Sequence, residues 1–471
     1  MLFTFHTAYE LFDAWFLLVL SFGCALIASI HALLTKPDPR SAFGWIVMCW
    51  LFPLGGPILY GLFGINRVRA RARQLRGELG KPRTPLRLGA QELPADHLMR
   101  IGDAVTQWPR VAGNTIESLE NGENAFPPML AAIAAAQTTV WMATYIFETD
   151  PVGRQFITAL AAAAARGVQV RVLIDGVGEW YSWPHAVAEL RRAGVTTARF
   201  LPPRILPPRL SLNMRNHRKL LLIDGRIGFL GGMNIGGREV GKQGARRMAD
   251  LHFKVCGPVL RPLGEAFRID WQFASGETLA VPEAPPACGE CLCRVITEGP
   301  DEDNDKLVSV MVGAVSMARE QLLIMTPYFI PPPELSSALQ SAALRGVDVT
   351  VVLPERSNLR YVDWACRRWL QPLVERGVRV LLQPAPFAHT KLLVMDGSYA
   401  QIGSANLDPR SLRLNFEIAL EVYDAATCRR LGQYIITARD RSTPLTAAML
   451  QGLGRLAQLR NSLFWLLSPY L

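Results

Sequence analysis

The stretch MRNHRKLLLIDGRIGFLGGMN, Met214 to Asn234, decides the reading of this chain, because the chain says it twice. It places His217 and Lys219 two residues apart before an apolar run that closes on Asp224-Gly225 and then on Gly231-Gly232. HTKLLVMDGSYAQIGSAN, His389 to Asn406, repeats the pattern. His217, Lys219, Asp224, Gly231 and Asn234 match His389, Lys391, Asp396, Gly403 and Asn406 with identical internal spacing. On a strand successive side chains alternate faces, so each histidine projects to the same side as its lysine.

The duplication extends outward. From about Asn114 the chain alternates between helical and strand-like stretches, and AARGVQVRVLI in the first half answers ALRGVDVTVVL in the second. This predicts an α/β fold of two duplicated lobes, each a mixed sheet flanked by helices, joined side by side. The lobes are expected at 114–287 and 288–440, around the proline- and alanine-rich joint LAVPEAPPACGE, with an apolar helical tail at 441–471. A pseudo-two-fold interface brings both signatures into one shared active site.

Two imidazoles and two ammonium groups around one small volume make an anion site with built-in proton transfer. A neutral imidazole attacks phosphorus, a protonated one donates to a leaving oxygen, and the lysines with Asn234, Ser404 and Asn406 are expected to hold phosphate oxygens. Such a histidine needs an acidic partner on its other ring nitrogen. Asp250 and Glu417, at comparable distances beyond the two signatures, are assigned as imidazole orienters. Asp224 and Asp396 complete the catalytic motifs, with a structural role expected at the turns they enter. The lysines would repel a cation, so no metal is expected, and covalent transfer through histidine calls for no cofactor. Gly232 stands where the second half has Ser404, so the half-sites cannot hold phosphate identically. Tyr145 and Tyr328, at equivalent strand ends, are read as core residues or as lining of the site's entrance.

The N-terminus is of another character. Ala14–Leu34 and Ala42–Ile65 are apolar stretches long enough to span hydrocarbon, which predicts a two-helix transmembrane hairpin over 1–66, kinked at Pro53 and Gly55–Pro57. Glu10 and Asp13 flank the first stretch and a second one follows, which argues against a cleaved signal peptide. Residues 67–113 read as a basic linker, with Arg67, Arg69, Arg71, Arg73 and Arg76 directly after the second span. That charge places the catalytic part in the cytoplasm of a multi-pass protein and against an anionic membrane surface. The formal charge of +10 and a mean hydropathy of +0.16 fit this reading. The eight cysteines are scattered and form no convincing metal knuckle.

HRKLLLID…GGMN and HTKLLVMD…GSAN resemble the paired HKD motifs of the phospholipase D superfamily, over Asn114 to Asp424. FPLGGPILYGLFG, YIFETDPVG, SANLDPRSLRLNFE and the terminal LSPYL narrow the resemblance to bacterial cardiolipin synthases. The resemblance implies two phospholipase D-like lobes in the bacterial inner membrane, with phosphatidylglycerol rather than nucleic acid as partner. It also implies a phosphatidyl transfer between two phosphatidylglycerol molecules that gives cardiolipin and glycerol through a phosphohistidine. His217 is expected as nucleophile and His389 as acid and base. A membrane phospholipase D that passes the group to water, and a non-catalytic binder of anionic lipid, are the alternatives.

Overall fold

The computed structural model describes residues 2–36, 38–65, 97–203, 214–241, 247–300 and 305–468. The arginine run at 67–76 and the proline-rich segment 204–213 lie outside them. The chain divides into two units, Met1–Ala70 and Arg71–Leu471.

In the first unit a helix spans Leu2–Thr35 and a second spans Pro39–Leu51. They meet through small residues: Ala25, Ala28 and Ala32 are buried with Cys49 and Tyr60. The Tyr60 hydroxyl lies 2.7 Å from His31 Nδ1, and Trp50 Nε1 donates to Ser29 Oγ at 3.1 Å. The second expected span is not one helix. It ends at Leu51, resumes at Gly55–Leu59 and closes in a π-helical turn, Tyr60–Gly64, because Pro53 has no N–H to continue the ladder. Among the described residues no helix is long and apolar enough to cross a membrane, so the structure leaves the transmembrane hairpin unestablished.

In the second unit the first half supplies β1 (Arg110–Glu120), β2 (Thr139–Thr144), β3 (Gln169–Asp175), β4 (Thr196–Phe200), β5 (Leu220–Ile223), β6 (Ile227–Gly231), β7 (Met248–Ala249) and β8 (Leu251–Cys256). The second supplies β9 (Cys291–Glu298), β10 (Gln321–Met325), β11 (Asp348–Pro354), β12 (Arg379–Gln383), β13 (Phe387–Ala388), β14 (Leu392–Met395), β15 (Tyr399–Gly403), β16 (Glu417–Val422) and β17 (Thr443–Pro444). Fifteen of these form one mixed sheet in the order β17-β12-β11-β10-β14-β15-β16-β9-β1-β8-β6-β5-β2-β3-β4. Read outward from the β9–β1 seam, the two halves have the same order over seven strands, and β17 adds an eighth at the outer edge of the second. β1 begins within the stretch read as linker, which also holds a helix at His97–Val105.

The same local devices build both halves. Helices cover the sheet faces, so β5 and β14 are apolar and wholly buried. Arg166 Nη2 donates to the carbonyls of Ile133, Ala134 and Ala136, at the end of the helix Asn121–Ala135. Arg345 Nη2 does the same for Val315, Ser316 and Ala318 after the helix Lys306–Met317. These are the arginines of the repeated "RGV", and a cation there complements the negative helix terminus.

The tail folds back as a helix, Arg455–Leu466, on the helix Arg360–Glu375. The Phe464 and Trp364 ring centroids lie 5.0 Å apart, and the Arg460 guanidinium sits 4.4 Å over Trp364.

Candidate active site

The two signature histidines enter the site from the ends of β5 and β14, and the opposite half pins each of them. His217 N donates to Phe416 O at 2.9 Å, and His389 N donates to Ala249 O at 2.8 Å. The short parallel pairing of β7 with β13 carries the second of these contacts. Each carboxylate that follows such a carbonyl reaches across. His217 Nδ1 lies 2.9 Å from Glu417 Oε1, and His389 Nδ1 lies 2.8 Å from Asp250 Oδ2. Asp250 and Glu417 thus meet imidazoles, and they do so crosswise, each serving the histidine of the other half. With Nδ1–H donated to a carboxylate, Nε2 keeps its lone pair.

Burial holds both imidazoles well below their ordinary range, at about 4, against the pull of the carboxylates. Burial also lowers Lys219 to about 7 and Lys391 to about 8. The Glu417 carboxyl is pushed up by burial, but His217, Lys219 and Ser404 together bring it below the usual range. Lys219 Nζ donates to His217 O at 2.7 Å, and Lys391 Nζ makes the corresponding bond to His389 O. Each lysine is therefore tethered beside its own histidine.

The remaining expected residues divide. Asn234 Oδ1 accepts from Ile146 N at 3.1 Å, which leaves its amide protons for other partners. Asn406 is buried, and its Oδ1 has no hydrogen-bond partner among the described residues. Ser404 departs from expectation. Its hydroxyl proton goes to Glu417 Oε2, and its oxygen accepts from Ile418 N at 3.1 Å. A hydroxyl has one proton, so Ser404 as placed braces the carboxylate and has none left for a phosphate oxygen. Gly232 has no such room: a Cβ there would stand 2.4 Å from Asp250 Oδ2.

Asp224 and Asp396 lie at the far ends of β5 and β14, away from the histidines. Asp224 accepts from the N–H groups of Gln137, Thr138 and Thr139, and Asp396 from those of Arg319, Glu320 and Gln321. Both adopt positive φ, 52° and 48°, a left-handed turn geometry that aspartate tolerates.

Tyr145 flanks His217 with ring centroids 5.3 Å apart, and Lys219 Nζ sits 5.6 Å over its ring. Tyr328 donates to Asn358 Oδ1 at 2.6 Å. Sequence reading passed over four further residues. Arg218, fully buried between His217 and Lys219, donates to Asp270 Oδ2 at 2.8 Å and to Glu417 O at 3.0 Å. Asn415 Nδ2 donates to Glu417 Oε1 at 3.2 Å. Buried Glu239 accepts from Asn234 N at 3.2 Å, and burial with Asp250 nearby raises its carboxyl to about 8. An aspartate between Ile269 and Trp271 in AFRIDWQF is the only advance sign of the Arg218 pair. Among the described residues no group of three or more histidine, cysteine, aspartate or glutamate side chains is placed to hold a metal ion.

The family model described as "Cardiolipin synthase, PLD-like domain" matches residues 129–245 and 311–437, one match around each histidine. The chain belongs to the cardiolipin synthase family. A cardiolipin synthase of Geobacillus kaustophilus is similar at 32% identity, over 97% of this chain and 94% of its own length. Cardiolipin synthase A of Pseudomonas entomophila is similar at 34% identity, over 95% and 96%. A model named for the phospholipase D-nuclease N-terminus matches residues 23–64. Among solved structures, the phosphatidylserine synthase of Haemophilus influenzae superposes with a TM-score of 0.62 at 15% identity, covering 80% of this chain and all of that one. At that identity the likeness is one of fold.

Proposed function

We propose that this member of the family is a cardiolipin synthase, a phosphatidyltransferase that joins two phosphatidylglycerol molecules into cardiolipin with release of glycerol. The crosswise pairing of His217 with Glu417 and of His389 with Asp250 carries the reading, because it turns two separate histidines into one acid–base pair.

His217 is the nucleophile in this scheme. Its carboxylate also accepts from Ser404 and Asn415, which spreads the negative charge and holds a proton on His217 less strongly. His389 is the acid and base. The resting imidazoles are neutral, and the arriving phosphodiester anion, held by Lys219 and Lys391, favours a proton on His389. His217 Nε2 then bonds to phosphorus as the bond to the glycerol oxygen breaks, and His389 gives that oxygen its proton. A second phosphatidylglycerol follows. His389 takes the proton of its primary hydroxyl, the oxygen bonds to phosphorus, and the phosphorus–nitrogen bond breaks. Asn234 and Asn406 hold non-bridging oxygens, Ser404 positions Glu417, and Asp224 and Asp396 keep the turns.

We place residues 1–66 in the inner membrane as an anchoring hairpin, with the catalytic lobes 114–287 and 288–440 on the cytoplasmic side. The large apolar side chains exposed on the N-terminal unit, among them Trp15, Ile27, Leu34, Phe43 and Leu51, suit contact with acyl chains.

The test uses full-length protein in vesicles of labelled phosphatidylglycerol with EDTA present. Cardiolipin and glycerol form; His217→Ala abolishes both, and His389→Ala abolishes cardiolipin and all glycerol beyond the one molecule per protein that leaves as the phosphohistidine forms. In His389→Ala the labelled phosphatidyl group accumulates on the protein in a base-stable, acid-labile bond. Phosphatidic acid as sole product overturns the synthase reading, and label accumulating in His217→Ala instead exchanges the two roles.

A further inference from the structure

The turn after β3 carries three aromatic side chains that the reaction scheme leaves unused. Trp180, Tyr181 and Trp183 are 59%, 51% and 83% exposed, although Trp and Tyr are among the most costly rings to leave in water. They are displayed by a rigid base. Asp175 Oδ1 accepts from Val177 N and Gly178 N, and buried Glu179 is paired with Arg199. Ser182 Oγ accepts from Thr149 N at 2.8 Å, and Thr149 Oγ1 donates to Pro184 O. These bonds fix the backbone of the turn at both ends.

The rings lead to the chemistry. Tyr181 lies 6.2 Å from Tyr145, centroid to centroid, and Tyr145 lies 5.3 Å from His217. The Arg238 guanidinium, paired with Glu148 at 2.9 Å, sits 6.0 Å over Tyr181 at the same rim. Two indoles, a phenol and a guanidinium form the combination that settles at the boundary between phosphate headgroups and acyl chains.

We infer that the Trp180–Trp183 turn docks the catalytic lobe on the phospholipid leaflet holding its substrate, with both indoles at the headgroup–acyl boundary and Tyr181 and Tyr145 lining the path to His217. The inference rests on the phosphatidyl-transfer reading, which supplies the bilayer as occupant. A second protein is the poorer fit, since three rings on one short turn offer far less than the roughly 1,000 Å² of a stable protein interface.

The experiment compares full-length wild type with Trp180→Ala/Trp183→Ala on two forms of phosphatidylglycerol. One is long-chain lipid at varied mole fraction in vesicles, and the other is short-chain lipid dispersed below its micelle concentration. In vesicles the variant's KM in mole fraction rises by roughly tenfold, the scale of a lost buried ring, with kcat retained. On dispersed lipid the two proteins perform alike, and quenching of tryptophan emission by brominated phosphatidylglycerol falls in the variant. Trp180→Phe/Trp183→Phe recovers most of the vesicle KM. An unchanged vesicle KM overturns the inference, as does an equal loss on both substrates, or a change confined to self-association. Wild type that makes no cardiolipin from either form overturns the underlying reading instead.

Discussion

His217 Nδ1 lies 2.9 Å from Glu417 Oε1, a residue 200 positions later in the chain and in the opposite half of the sheet. The bond fixes the imidazole tautomer, so its removal should act on the chemical step rather than on binding. Glu417→Gln is expected to lower kcat by roughly 10²- to 10⁴-fold and to leave KM within about threefold. Asp250→Asn, at the equivalent place beside His389, should do the same. Steady-state kinetics on mixed vesicles check both, and a loss confined to KM would contradict the assignment.

Because Gly232 and Ser404 are not equivalent, opposite substitutions should harm the two half-sites. Gly232→Ser drives a Cβ against Asp250 and should cost at least about 100-fold in kcat, because His389 then loses its orienting partner. Ser404→Ala removes one bond to a buried carboxylate, worth about 1.5–3 kcal/mol, so kcat should fall by about ten- to a hundredfold with KM unchanged. A rise in KM would return Ser404 to the phosphate-binding role expected from sequence.

The buried lysines set the alkaline limit. Both hold their protons less tightly than usual, Lys219 to about 7 and Lys391 to about 8, because burial disfavours the ammonium. Raising the pH through 7 to 8 therefore discharges the free enzyme's anion site, and kcat/KM falls across that window. On the acid side the imidazoles stay neutral until about 4, so activity should hold to roughly pH 5. A pH profile of kcat/KM measures both limbs, and an alkaline limb above pH 9 would contradict the burial of the lysines.

Arg294 near the β9–β1 seam tests what ties the helix His97–Val105 to the second half. It is fully buried, pairs with Glu421 and Asp103, and donates to Met99 O at 3.0 Å and to the Tyr423 hydroxyl at 2.8 Å. Arg294→Met leaves Glu421 charged and buried, and should cost about 3–5 kcal/mol in denaturant unfolding. Arg294→Met/Glu421→Leu should recover most of that loss, since no charge is then stranded.

The sequence by itself determined the duplication, the mixed α/β lobes, both histidine–lysine pairs and the two carboxylates that serve them. All of these rest on spacing along the chain, where strand alternation and repeat register are directly legible. The tertiary structure decided what depends on contacts between distant segments. It joined the lobes through β1 and β9 into one sheet, crossed Glu417 to His217 and Asp250 to His389, and assigned the Ser404 proton to Glu417. A hydroxyl two residues before an asparagine in a phosphate-binding motif reads alike in sequence whether it faces a ligand or a neighbouring strand, and only the partner's position separates the two. The same holds for Arg218 and Asp270, which form a buried pair across 52 residues that no local pattern announces. Pro53 shows the reverse case, a local rule, already legible in the sequence as a kink, that ends a helix inside a long apolar run.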